Sequence, residues 1–297
     1  MSDDLVERTW FPELDRPVLL VALEGWIDAG MGAANAMSAL LTGADAETVA
    51  TFDADRLLDH RARRPIMHLV NGLVTGLSWP GIELRAGTDA AGQDVLLLVG
   101  AEPDFEWRAF CDAVVDLAQD FDCRMMVALG AYPAPVPHTR TTNLAITTSS
   151  ADLSDRLHGY VRGTLDVPGG IQAVLDLAFN EAGIPAAGLW AQVPHYVSSM
   201  PYPAASVALL EGLRELAGVE AHQGDLPVEA RATRVRLDEL VAENPQHQAM
   251  VAQLEEFVDQ GLADQVADAP TIGFDRIPSG DELAAELQEF LQHRDED

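Results

Sequence analysis

Two stretches decide what this chain can fold into: residues 95–100, VLLLVG, and residues 125–132, MMVALGAY. Each is an unbroken apolar run with no alternate residue to offer to water, so each has to be covered on both faces. A sheet achieves this when helices pack on either side of it, and such sheets are mostly parallel. Further apolar, β-branched runs bounded by turn residues stand at 18–24, 48–52, 65–70, 144–148 and 187–193. Helical patterns lie between several of them, at about 32–41, 105–119, 151–160, 170–182 and 204–216. The alternation predicts an α/β fold with a mostly parallel sheet. The turn-rich stretch 72–89 predicts an irregular or antiparallel excursion from it.

After Gly218 the strand-like runs stop and three helical patterns follow, at about 228–243, 246–263 and 281–293. Asn244 before Pro245 reads as a cap followed by a first-turn proline, and Ser279 with Glu282 has capping-box spacing. The chain therefore divides into an α/β domain, 1–218, and an α-helical region, 219–297. The second part holds 19 of the 48 acidic residues and 5 of the 18 arginines. Its Leu237, Leu240, Val251, Leu254, Phe257 and Val258 still recur at helical spacing. One face should pack on the α/β domain while the other stays in water.

Composition removes several functions. No lysine occurs anywhere, which excludes a phosphate loop ending in GK[ST], pyridoxal Schiff-base chemistry and a serine–lysine dyad. A net charge of -30 repels phosphate backbones and anionic lipid, so neither nucleic acid nor a membrane surface is expected as a partner. No run reaches the ~20 apolar residues of a membrane span, and the opening MSDDLVERTW lacks a secretory pattern, which places the protein in the cytoplasm. Cys111 and Cys123 have no companion at metal or redox spacing and are expected to be buried and reduced.

Ligands of an open parallel sheet bind at the carboxyl ends of its strands, so residues there are the candidates for a pocket or binding site. They are Glu24, Trp26 and Asp28; Glu102, with Asp104 beside it; His138, Thr139, Arg140 and Thr141; and His195 and Tyr196. Carboxylates near histidines suit acid–base work or a divalent metal, but no HExxH or HxH spacing supports a metal, and none is expected. No GxSxG elbow is present, and no residue is assigned a catalytic role. Gly30-Met31-Gly32-Ala33-Ala34-Asn35 approaches a dinucleotide fingerprint, with Asp53 at the end of the next strand. Asn35 replaces the third glycine, and six residues separate Leu23 from Gly30, so no cofactor is expected. Asp28 precedes a helix and is well placed to cap it. The proline-rich AYPAPVPHTR is expected to be a stiff loop that leaves the sheet, because proline has no donor for a central ladder. Its arginine offers a planar fork for a carboxylate, either a ligand's or the protein's own.

These motifs carry a resemblance. LEGWIDAG, VGAEPDFEW, LGAYPAPVPHTR, VPGGI before an apolar helix, and LWAQVPHYVSSMPYPAAS resemble the PAC2 family, relatives of proteasome assembly chaperone 2 found in archaea and actinobacteria. The similarity spans about residues 18–216, and the acidic helical part resembles the extra carboxy-terminal region of the actinobacterial branch. The resemblance implies a three-layer α/β/α sandwich related to nucleoside phosphorylase and nucleosidase-like folds. It also implies a protein-binding, homo-oligomer-forming role, with proteasome-related partners. Relatives that dock on proteasomes end in a hydrophobic–tyrosine–any-residue tail, whereas this sequence ends Asp295-Glu296-Asp297, so docking by that route is not expected.

The sequence thus predicts a non-enzymatic binding protein or assembly chaperone that self-associates. The alternative is a small-molecule or nucleoside hydrolase with a strand-end pocket. In EGWIDAG, Gly25 and Gly30 are expected to bend the chain, Trp26 to pack and Asp28 to cap, leaving Glu24 for a ligand.

Overall fold

The computed structural model describes residues 5–25, 27–156 and 166–260. Ten strands form in it: β1 (Val6–Arg8), β2 (Val18–Glu24), β3 (Glu47–Phe52), β4 (Ile66–Val70), β5 (Leu73–Ser78), β6 (Ile82–Thr88), β7 (Asp94–Ala101), β8 (Met125–Ala134), β9 (Leu144–Thr147) and β10 (Ala186–Pro194). Eight of them make one sheet in the order β1–β3–β6–β7–β2–β8–β10–β9, while β4 and β5 pair separately as a hairpin. The four central strands, β7–β2–β8–β10, are mutually parallel. Antiparallel pairs complete both flanks, β6 and β3 on one side and β9 on the other.

The helices are α1 (Gly32–Ala44), α2 (Ala54–Leu57), α3 (Trp107–Asp120), α4 (Ala151–Arg156), α5 (Ile171–Glu181), α6 (Pro203–Ala217), α7 (Leu226–Ala242) and α8 (Pro245–Asp259). The period of two along each strand divides its side chains between two cores. Leu19, Val21, Leu96, Leu98 and Met126 face α3 and α5. Val18, Leu20, Leu97, Val127 and Leu129 face α1 and α6. Each such side chain, removed from water, contributes about 1.5–3 kcal/mol. The sandwich is therefore the α/β/α arrangement that the apolar runs demand.

Three local outcomes differ from or extend the sequence reading. The short edge strand β1, too brief to display a period, pairs antiparallel with β3. The turn-rich stretch becomes β5 and β6, both antiparallel to their neighbours. The proline-rich segment does not leave the sheet at Ala131: β8 runs on through Pro133 to Ala134, in register with Gln192, Val193 and Pro194 of β10. Pairing with β2 stops at Ala128, so this last part of β8 is paired by β10 along one side only, where proline is tolerated.

α7 lies against α6, and its Leu237, 4% exposed, joins the core beneath α1 and α6. α8 follows after Asn244, whose side chain accepts the Gln246 N–H at 2.9 Å as expected of a cap. The expected helix at 281–293, the Ser279–Glu282 capping box and the packing of Trp26 lie outside the described residues. Both cysteines are free and buried, and burial, with Asp112 and Asp122 close by, pushes each thiol up to about 12. No helix of the described residues is long and apolar enough to cross a membrane.

Gly130 on β8 faces the Trp190 ring on β10, and a Cβ placed there would run into that ring. Gly130→Ala is therefore expected to lower the unfolding free energy by about 1–3 kcal/mol in denaturant titration, because the indole, whose Nε1 donates to the Thr147 hydroxyl at 3.0 Å, would have to give way.

Candidate functional site

The strands that carry the candidate residues are neighbours, so their carboxyl ends share one edge of the sheet. Along this edge the side chains form two separate groups, with Asp28 between them.

The first group surrounds the ends of β7 and β2. The Glu102 N–H donates to the Glu24 carbonyl at 2.7 Å, extending the ladder by one bond. Glu102 Oε1 accepts the Ile171 N–H at 2.7 Å and so caps α5 from a distant part of the chain. Arg63 pairs with Asp104, whose other oxygen accepts the Asp59 N–H at 2.8 Å. Gly25 lets these pieces meet: a Cβ there would lie 2.6 Å from the Arg63 guanidinium and 2.9 Å from the Glu102 Cβ. Glu24 itself is exposed.

Asp28 lies in a one-residue bridge with Ala131 of β8. Its Oδ1 accepts the Ala33 N–H at 2.7 Å and its Oδ2 the Ala34 N–H at 2.9 Å, so the carboxylate closes the first turn of α1. Burial pushes its pKa up, against the pull of these amides. Gly30, at φ 64°, lies in the short 3-10 turn Ala29–Met31 that swings the chain onto this cap. Asp53, the other half of the rejected dinucleotide pattern, is likewise a cap, accepting from the Asp55 and Arg56 amides of α2.

The second group is built on the ends of β8 and β10 and is closed over by α7 and α8. His138 is 3% exposed. The Tyr196 hydroxyl accepts the His138 backbone N–H at 2.8 Å and lies 2.6 Å from Nδ1. Asp238 Oδ1, 3.2 Å from Nε2, can only accept, so the ring proton sits on Nε2 and the Tyr196 hydroxyl donates to Nδ1 of the neutral ring. Burial lowers the His138 pKa despite Asp238. Arg234 of α7 binds the His138 carbonyl at 2.9 Å and Asp238 at 3.0 Å. Arg140 grips Asp259 through Nε and Nη2, at 2.8 and 2.7 Å, and Glu255 through Nη1 at 3.0 Å. The Thr139 hydroxyl donates to the same Glu255 oxygen. Thr141 and His195 remain exposed, with the His195 ring edge-on to Tyr196 at 5.3 Å.

Chemically, most of this edge is already engaged: Asp28 and Glu102 hold helix amides, while Asp104, Asp238, Glu255 and Asp259 hold arginines. Among the described residues no group of three or more His, Cys, Asp or Glu side chains is placed to hold a metal. Sequence reasoning named the strand-end members but missed Arg63, Arg234, Asp238, Glu255 and Asp259, because a partner far away in sequence leaves no local pattern. It also missed Asp176 on the apolar helix α5. Burial pushes that carboxyl up to about 6 against two hydrogen bonds from Ser149, and Oδ1 lacks a partner among the described residues.

Since Asp176 binds its proton more tightly in the folded chain, its contribution to stability is full below the ordinary value of 3.8 and is lost as pH rises through about 6. Asp176→Asn should accordingly stabilise the protein by on the order of 1–2 kcal/mol at about pH 7.5 and by much less at about pH 4, as read by denaturant titration. Asp28→Ala should cost about 1–2 kcal/mol in the same measurement through loss of the α1 cap.

Residues 22–241 match the model of the PAC2 family. Three solved structures share the fold and about a third of the sequence. A Corynebacterium glutamicum protein of unknown function is 32% identical over 87% of this chain and 98% of its own, with a TM-score of 0.81. A Mycobacterium tuberculosis proteasome-assembly chaperone homologue is 34% identical over 80% and 99%, with a TM-score of 0.73. A Streptomyces avermitilis PAC2 family protein is 34% identical over 80% and 99%, with a TM-score of 0.71. No protein with a curated description matches. The family match runs from the last three residues of β2 through the EGWIDAG turn, β7, β8, the His138–Arg140 ledge and β10 to all but the last residue of α7, and on that ground the chain belongs to the PAC2 family.

Proposed function

We propose that this protein is a non-enzymatic, chaperone-like binding protein that self-associates through the β4–β5 hairpin. The observation that carries the reading is the surface of that hairpin. Asn71 and Gly72, both at positive φ, form its tight turn. Ile66, Met67, Leu69, Val70, Leu73, Val74 and Leu77 on its strands are all largely exposed, from 47% to 69%. Residues 65–81 contain no Asp, Glu or Arg in a chain that is 22% charged.

A two-stranded hairpin is marginal in water by itself, and apolar side chains on both of its faces call for a cover. Copies of this chain repel one another across most of their surface, since each carries a net charge of -30. The hairpin is where two copies meet without bringing carboxylates together. At its root His60 binds Asp55 at 2.9 Å and stands edge-on to Trp79 at 5.0 Å.

The chaperone-like role is supported by kinship with a protein described as a proteasome-assembly chaperone homologue. We take proteasome subunits as the partner class and the cytoplasm as the place of action. The engagement of Asp28 and Glu102 as helix caps and of Arg140 in ion pairs supports a binding role over hydrolysis.

Leu69 and Val74 face each other across the hairpin, each 55% exposed. Replacing both with Glu should leave the far-ultraviolet circular dichroism unchanged and reduce the mass in light scattering from that of an oligomer to that of one chain. A wild-type chain that stays monomeric at every concentration would sink the self-association reading. Failure of the wild type to co-elute with proteasome subunits of its own organism would sink the choice of partner.

A further inference from the structure

α8 is fastened to the α/β body in an unusual way. Of its residues Val251 is the buried one, and the helix packs on α7. Among the described residues, its side-chain hydrogen bonds to the body all run from Thr139 and Arg140 to Glu255 and Asp259. The two carboxylates sit one helical turn apart, and the Thr139 hydroxyl and the Arg140 guanidinium are both aimed at them. The ledge itself is rigid. It follows Pro133, Pro135 and Pro137, and α7 holds it from behind through Arg234 on the His138 carbonyl and Asp238 on the His138 ring.

We propose that the Thr139–Arg140 ledge is a receptor for a pair of carboxylates, and that α8 occupies it in cis as an internal stand-in for an acidic polypeptide segment. A planar guanidinium whose Nε and Nη2 both engage one carboxylate is the geometry of bidentate carboxylate recognition. The spacing of Glu255 and Asp259 defines the occupant as two carboxylates one turn apart on a helix. An arrangement held by ion pairs, one buried valine and the half-buried Leu254, Phe257 and Val258 opens locally before the parallel core unfolds. Opening presents the Arg140 fork and the Thr139 hydroxyl to an incoming segment, so binding and strap closure exclude each other. Lys-free and strongly acidic, the chain has few cations at its disposal, and this pairing keeps Arg140 covered until a competitor arrives. The inference is independent of the hairpin: removing the apolar arm leaves the ledge untouched.

The test is hydrogen exchange of the full chain, combined with titration of two probes, a synthetic peptide of residues 245–259 and succinate. The double variant Glu255→Gln/Asp259→Asn should raise exchange across 245–259 roughly tenfold while amides of β2 and β8 keep their protection. Raising NaCl from about 0.05 M to about 0.5 M should produce the same change in the unsubstituted chain. The peptide should bind the double variant at least about tenfold more tightly than wild type, and adding Arg140→Ala should abolish that binding. Succinate binding without peptide binding would overturn the polypeptide assignment in favour of a small dicarboxylate. Unchanged exchange over 245–259 in both the variant and high salt, or no binding of either probe, would overturn the proposal altogether.

Discussion

Covering the four central strands on both faces leaves no wet side on the sheet. Their backbone groups are satisfied by one another and their side chains by helices, so ionisable residues are driven to the strand ends. There the chain has to turn, cap a helix and return. Asp28 caps α1, Glu102 caps α5 and Asp53 caps α2, each next to or across from a strand end. Much of what looks like catalytic equipment in the sequence is thus the hardware that fastens helices to a dry sheet.

Charge supplies the second constraint. With 48 acidic residues and 18 arginines, every guanidinium is a scarce cation surrounded by candidate partners. Arg63, Arg140 and Arg234 each tie together segments remote in sequence: 63 to 104, 140 to 255 and 259, and 234 to 138. Arginine suits this use because one planar group holds two acceptors at once. The strand-end edge is therefore organised by a small number of cations that bind the helical region to the α/β body.

The central strands were legible because burial on two faces produces runs that few other structures need, and β2 begins and ends where its apolar run does. Asp28 was legible as a cap because capping is local, within a handful of residues. The course of β8 past Ala131 was not, since proline is disfavoured only where both sides of a strand are paired, and pairing is a tertiary fact. The order of the strands, the grip of Arg140 on α8 and the raised pKa of Asp176 were closed to the sequence for the same reason. Each depends on what stands opposite, and nothing near Arg140 in the chain points to residues more than a hundred positions away. The hairpin's apolar run was visible at 65–70, but an exposed strand and a buried one read alike when each is uncharged.

The hairpin has a consequence that belongs to symmetry. It offers two open edges and two apolar faces, so nothing in the arm itself limits how many neighbours it joins. Whether copies meeting there close into a ring or continue as a filament depends on the angle at which the arm leaves the body. The contacts nearest that root are those of Asp59 and Arg63 with Asp104 and of His60 with Trp79. Under the proposed self-association, a handful of polar contacts around residue 60, far from the apolar tip, would govern whether the assembly is finite.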